Sequence, residues 1–228
     1  MPSLILLHGA LGSAQTMQPL QQALTADFDI HTLDFLGHGP SPAQAFDIPI
    51  LAEQVKNYIQ STGLEQPHIF GYSMGGYVAL YLAQQAPTLA DRIFTLGTKF
   101  AWSPEIAAKS IRGIQADKIE EKVPQFASYL KGLHGEIEWR ILLQHTAEMM
   151  EDLGVSAPLN TANATQIANT ALICLGDEDN MVSHEETSSF AEAMPQGQFQ
   201  LLPQTQHPIQ KVDPNALAPY LRNFLLQS

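Results

Sequence analysis

Short apolar runs alternate with stretches of helical spacing over the first hundred residues of the chain. Ser3-Leu4-Ile5-Leu6-Leu7 is continuously apolar, the pattern of a strand buried on both faces of a parallel sheet. Residues 8–13 follow as a loop, and Ser13 is placed to cap a helix running through Met17, Leu20 and Leu24. A second strand is expected at 28–33, and the Gly- and Pro-rich segment after it, 34–42, reads as a turn-rich loop. Leu51, Val55, Tyr58 and Ile59 have helical spacing, with Gly63 as the stop. His68-Ile69-Phe70 reads as a third strand, 77–85 as a helix closed by Pro87, and 92–97 as a fourth strand. Alternation with such short connections points to right-handed βαβ units and a parallel sheet.

Between Trp102 and Asn160 the alternation breaks. Helical periodicity takes over in three pieces, 104–114, 119–133 and 137–153. Pro104 suits a first helical turn, whereas Pro124 falls inside the second piece and is expected to split it. Strand patterns return at 171–175 and 198–202, separated by a helix over 184–194, and a helix over 215–226 closes the chain. The expectation is one α/β core, formed by 1–101 and 161–228, with a helical insertion over 102–160.

Composition narrows this picture mainly by exclusion. With 228 residues, 45% hydrophobic and 15% charged, the chain is ordinary for a globular protein with one core. Its net charge of −12 comes from 23 acidic against 11 basic residues without a Lys/Arg cluster, which disfavours nucleic acid and anionic membrane surfaces as partners. The single cysteine, Cys174, lies in an apolar run and reads as a buried small hydrophobe. The apolar run at 4–7 has no basic residue before it and runs into His8-Gly9, so it reads as a strand and not a signal peptide. No run approaches the roughly 18 apolar residues of a membrane span. A cytoplasmic location is the expectation.

The chemistry centres on Gly71-Tyr72-Ser73-Met74-Gly75-Gly76, where a strand meets a helix. The chain must reverse there within very few residues, and glycines two positions either side keep side chains out of the crowded approach. Such a turn lifts the Ser73 hydroxyl clear of the sheet, beside the Met74 N–H and the positive end of the new helix. A serine needs a base and an orienting acid, and in an open parallel sheet these gather beyond the carboxyl ends of the strands. Among eight histidines, His207 follows the last strand directly, and the loop after the preceding strand offers Asp177, Glu178 and Asp179. No metal-ligand spacing is present, and no cofactor is implied.

These features resemble the α/β-hydrolase fold over nearly the whole chain outside the insertion. Gly176-Asp177-Glu178-Asp179 matches the family's Gly-x-x-Asp turn, whose last residue is the acid, so the resemblance implies Ser73, Asp179 and His207 as the catalytic triad. His8-Gly9 resembles the oxyanion loop, and 34–41 the family's Asp-x-x-Gly-His-Gly-x-Ser segment. The implied oxyanion donors are the N–H groups of Met74 and Ala10, with Leu11 as the fallback for the second; His8 is expected to be structural. Family members commonly carry two further strands before the His-Gly strand, and their absence here leads to about six strands, essentially all parallel, with the first near the middle of the sheet.

The insertion would be the family's helical cap, and its aromatics Trp102, Phe126, Tyr129 and Trp139, with Tyr72 beside the nucleophile, are the candidates for lining a pocket above Ser73. The expected partner is a small-molecule substrate, a small and mostly apolar carboxylic ester. The elbow also resembles that of the menaquinone-pathway synthase MenH, a lyase, in which an arginine commonly follows the elbow where this chain has Tyr77. A lyase or carbon–carbon hydrolase, and a non-catalytic ligand-binding sensor, are the alternatives.

Overall fold

The computed structural model describes residues 1–136 and 138–227. Six strands, β1 (Ser3–Leu7), β2 (Asp29–Thr32), β3 (His68–Tyr72), β4 (Ile93–Leu96), β5 (Ala171–Gly176) and β6 (Gly197–Leu202), form one sheet in the order β2-β1-β3-β4-β5-β6. All five pairings are parallel. The first strand is interior but stands one place in from the β2 edge rather than at the middle.

Alternation along each strand sends side chains into two separate apolar layers. Ile5, Leu7, Ile69, Ile93 and Ile173 pack with helices α2 (Ile48–Thr62), α3 (Met74–Gln85) and α8 (His184–Ala193). Leu4, Leu6, Phe70, Phe94, Leu96 and Cys174 pack with α1 (Gln18–Leu24) and α9 (Pro214–Leu225) on the opposite face. Burial on both faces is why β1 and β3 to β5 read as continuous apolar runs. Gly63 ends α2 with φ 69°, the left-handed cap that glycine permits.

Ser13 does not cap through its side chain as the sequence suggested. Its Oγ is buried without a hydrogen-bond partner among the described residues, and the turn is held instead by Thr16, whose hydroxyl donates to the Ser13 carbonyl at 2.6 Å. Between β4 and β5 lie α4 (Pro104–Ile111), α5 (Ala116–Lys122), α6 (Pro124–His134) and α7 (Glu138–Val155). Pro124 splits the expected second piece by starting α6, and Ile137, the expected start of the third, lies outside the described residues. Among the described residues no helix is long and apolar enough to cross a membrane.

The strand order reverses direction between β1 and β3, so the loops leaving these two strands diverge at the carboxyl edge of the sheet. Helix α3 starts in that gap at very close range. A Cβ on Gly75 would stand 2.5 Å from the Leu7 carbonyl oxygen and 2.6 Å from that of His8, and one on Gly9 would stand 3.2 Å from the Ser73 Cβ. Ser73 takes φ 51° and ψ −115°, a conformation costing about 1–3 kcal/mol and sustained by the packing around it. Gly75→Ala is therefore expected to destabilise the chain by roughly 3 kcal/mol, since the methyl meets backbone that cannot swing aside; urea unfolding measures it.

Candidate active site

Four strand-end loops deliver the site. The Ser73 turn after β3 is fixed from both sides: the Ser73 N–H donates to the Leu96 carbonyl at 2.8 Å, and the buried Thr98 hydroxyl donates to the Ser73 carbonyl at 3.1 Å. After β6, His207 is 8% exposed, and its Nδ1–H donates to Asp179 Oδ2 at 2.7 Å. Asp179, on the loop after β5, takes the N–H groups of Met181 and Val182 on its other oxygen at 2.8 and 3.0 Å. Its side chain is 2% exposed. Burial works against the ionised carboxyl, but the His207 hydrogen bond and charge and the two N–H groups outweigh it and hold the pKa below the usual aspartate range.

The neighbouring carboxylates do different work. Asp177 accepts the Thr205 N–H at 3.3 Å and Glu178 accepts from Gln206 at 3.2 Å, so both brace the loop that carries His207. Gly97, the residue after β4, has φ 64° and lies under the pair: a Cβ there would stand 3.2 Å from both Asp179 Oδ2 and His207 Nδ1. In the sequence Gly97 reads only as a strand end.

Ser73 and His207 line one cavity of about 230 Å³ together with Ala10 and Met74. The Met74 N–H is the first of its helix and has no intrahelical acceptor, and Ala10 sits where the β1 loop turns, next to Leu11 at φ 61°. The rest of the wall is mostly aliphatic and thioether: Ile48, Ile114, Met149, Met150, Leu153, Met181 and Val182. Of the five aromatic candidates, only Trp102 lines this cavity.

The other four are placed elsewhere, each for a physical reason. Tyr72 belongs to the opposite face of the sheet and donates its hydroxyl to the His207 carbonyl at 2.6 Å, supporting the histidine from behind. Trp139 is fully buried in a small cluster with Ile119, Leu130 and Leu143, the core of the helical segment. Phe126 is 37% exposed and stacks on Tyr129, while Tyr129 faces a separate groove and accepts from Gln210 at 2.9 Å. Lys99 and Tyr77 line the cavity and were missed as lining residues. The Tyr77 hydroxyl is engaged twice by Leu159, donating to its carbonyl at 3.1 Å and accepting its N–H at 2.9 Å.

Three buried histidines support the β1 loop. His8 accepts the Phe35 N–H on Nε2 at 3.1 Å, which leaves Nδ1–H to donate to the Gly9 carbonyl at 2.8 Å. Burial lowers its pKa to about 4 against a weaker opposing effect of that carbonyl, so it is neutral and structural. His134, the last residue of α6, accepts the Gly39 N–H on Nδ1 at 2.9 Å and donates from Nε2 to the Leu11 carbonyl at 3.0 Å. It thereby ties the helical segment to two core loops, one of them carrying Ala10. His38 lies between the two, its ring centroid 5.0 Å from that of His8 and 6.2 Å from that of His134. Among the described residues no group of three or more His, Cys, Asp or Glu is placed to hold a metal.

A six-stranded parallel sheet with a serine on a strained strand–helix turn, sharing a cavity with a carboxylate-bound histidine, defines a class that comparison with known proteins identifies. The family model described as alpha/beta hydrolase fold matches residues 2–118, and the chain belongs to that family. It is 24% identical over 254 residues to the sn-1-specific diacylglycerol lipase ABHD11 of Mus musculus, covering 99% of this chain and 81% of that protein. It is 36% identical over 83 residues, 36% of this chain and 30% of the other, to a 2-succinyl-6-hydroxy-2,4-cyclohexadiene-1-carboxylate synthase of Yersinia pestis. The crystal structure of NosK from Streptomyces actuosus superposes with a TM-score of 0.85 at 19% identity, covering 99% of this chain and 97% of that one.

Two outcomes follow for the histidine cluster. His134→Phe leaves the Gly39 N–H and the Leu11 carbonyl unpaired and is expected to cost roughly 2 kcal/mol, while His134→Gln, which offers one acceptor and one donor, costs less; urea unfolding separates them. Because His8 keeps a folded pKa of about 4 against an ordinary 6.5, the unfolded chain binds more protons between those values. Stability therefore falls as pH drops through that window, with His38 and His134, also lowered chiefly by burial, adding in the same direction. His8→Gln should flatten the slope of stability against pH.

Proposed function

We propose that the chain is a serine hydrolase that cleaves a small, mostly apolar carboxylic ester through Ser73, His207 and Asp179. The observation that carries this reading is the meeting, on one largely apolar cavity, of a serine on a strained turn and a histidine whose Nδ1–H is held by a buried carboxylate. With Nδ1 carrying the proton bound to Asp179, Nε2 is the free base.

In this mechanism His207 Nε2 takes the Ser73 proton as Oγ attacks the ester carbonyl. The negative oxygen forms against the Met74 and Ala10 N–H groups, each such donor being worth about 3 kcal/mol in the transition state. Collapse returns the proton from His207 to the departing alcohol and leaves an acyl-serine. Water, deprotonated by the same imidazole, attacks that acyl group and releases the acid, restoring Ser73. Asp179 keeps the imidazole in the required tautomer and stabilises its cationic form. The helices of 102–160 serve as the cap over the acyl group, with Met149, Met150 and Leu153 of α7 as its inner surface. Thioether side chains adapt their shape readily, which suits a range of acyl groups.

A lyase of the kind the Yersinia relative is named for is the second reading, supported by that local identity. Tyr77 stands against it, since its hydroxyl is occupied by Leu159 where a carboxylate-holding arginine would be needed.

Hydrolysis of p-nitrophenyl esters from acetate to octanoate tests the proposal. Release should pass through an optimum of chain length, and Ser73→Ala should lower kcat by roughly a thousandfold or more. Release that survives Ser73→Ala, or none from any ester, overturns the reading and turns the search to lyase substrates or a ligand bound without turnover.

A further inference from the structure

The cavity over Ser73 contains few polar groups, and most are accounted for. Ser73 and His207 belong to the proposed triad, Tyr77 is engaged by Leu159, and the Ser110 hydroxyl donates to the Ile106 carbonyl of its own helix at 3.0 Å. Lys99 is left.

Among the described residues its one ionic partner is Glu186, in the first turn of α8, at 3.5 Å from Oε2. Lys99 makes no directed hydrogen bond among the described residues, although its side chain is only 22% exposed. Glu186 does not depend on it. Oε1 accepts the Phe100 and Ala101 N–H groups at 3.1 and 3.4 Å, and Oε2 accepts the Ser183 N–H at 3.3 Å and its hydroxyl at 3.0 Å. Four donors and the positive end of α8 already meet the carboxylate charge. The ammonium thus has one ionic contact and no directed hydrogen bond among the described residues, stands 6.0 Å from the Trp102 ring, and belongs to a residue lining a wall that is otherwise mostly apolar. An anionic group on a ligand in the cavity would supply the directed, charge-assisted hydrogen bond that the ammonium lacks.

We propose that Lys99 is a carboxylate-binding group of this cavity, so that the preferred substrate carries one anionic carboxylate on an otherwise apolar body, as a hemiester of a dicarboxylic acid does. The assignment rests on the ester-hydrolase reading and adds to it the charge of the substrate. The net charge of −12 does not oppose it at contact range, because charges more than about 8 Å away are largely screened at physiological salt.

Binding to the full chain bearing Ser73→Ala, measured by calorimetry, tests this without turnover. Monomethyl adipate and methyl hexanoate share an apolar body and a methyl ester and differ chiefly in the terminal carboxylate. Monomethyl adipate should bind about tenfold tighter, as one charge-assisted hydrogen bond in a dry site provides. Adding Lys99→Met should bring the two affinities within about twofold of each other, and Lys99→Arg should restore part of the preference. Circular dichroism establishes that the variants fold, and the comparison in Ser73→Ala alone remains decisive if one does not. Equal affinities, a preference that survives Lys99→Met, or binding of neither ester overturns the assignment. Equal affinities in Ser73→Ala alone, or a preference that survives Lys99→Met, while p-nitrophenyl ester turnover of the unsubstituted chain stays Ser73-dependent, remove the Lys99 assignment alone; failure of that turnover removes the hydrolase reading instead.

Discussion

The close approach of helix α3 to strands β1 and β3 is the constraint on which the rest of this molecule depends. The first turn of α3 touches the carbonyls that end β1, and the same contact forces Ser73 into its positive-φ conformation. Nothing larger than hydrogen fits at Gly75, because the obstructing atoms are backbone. The strain at Ser73 is sustained by packed layers on both sides of the sheet, so the placement of its hydroxyl on the cavity is a product of the whole core rather than of a local motif.

Around that point the support is divided among residues that never face the cavity. Tyr72 holds the backbone of His207, Asp177 and Glu178 hold the loop around it, and Gly97 makes room for the Asp179–His207 pair. On the other side His8, His38 and His134 fill the space beneath the β1 loop as neutral rings. Each of His8 and His134 joins two backbone groups from different segments. A neutral imidazole supplies one donor and one acceptor, which suits it to bridge an orphan carbonyl and an orphan N–H in the same buried space.

What was legible in the sequence follows from where physical signals are local. Strands buried on both faces announce themselves as short apolar runs, and the glycines around Ser73 mark a tight strand-to-helix turn even though the Leu7 and His8 carbonyls that require Gly75 lie far away in the chain, so fold and elbow could be read directly. The choice of Asp179 over Asp177 needed the family's turn pattern, because all three carboxylates leave the same strand and only their three-dimensional partners distinguish them. The cavity wall was the least legible part. Large aromatics drew attention, yet Trp139 was more useful filling the core of the helical segment, and Phe126 and Tyr129 face outward or into another groove. The wall is made instead of methionines and aliphatic residues from loops and helices far apart in the chain, and no spacing rule links Lys99 to Met149. The role of His134 was equally hidden, since its two partners lie about a hundred residues earlier.

The order in which the strands are added has a consequence for the chain as it is made. The sheet grows outward from β3 through β4 and β5 to β6, so Ser73 is in place in the first half of the chain while Asp179 and His207 arrive on the loops of the last two strands. A nascent chain emerging from the ribosome, folding its N-terminal part first, would carry Ser73 before the loops bearing Asp179 and His207, and before the later helices that complete both packed layers. On the proposed triad, the site is therefore complete only when synthesis is almost over, and partly built copies would lack its base and acid.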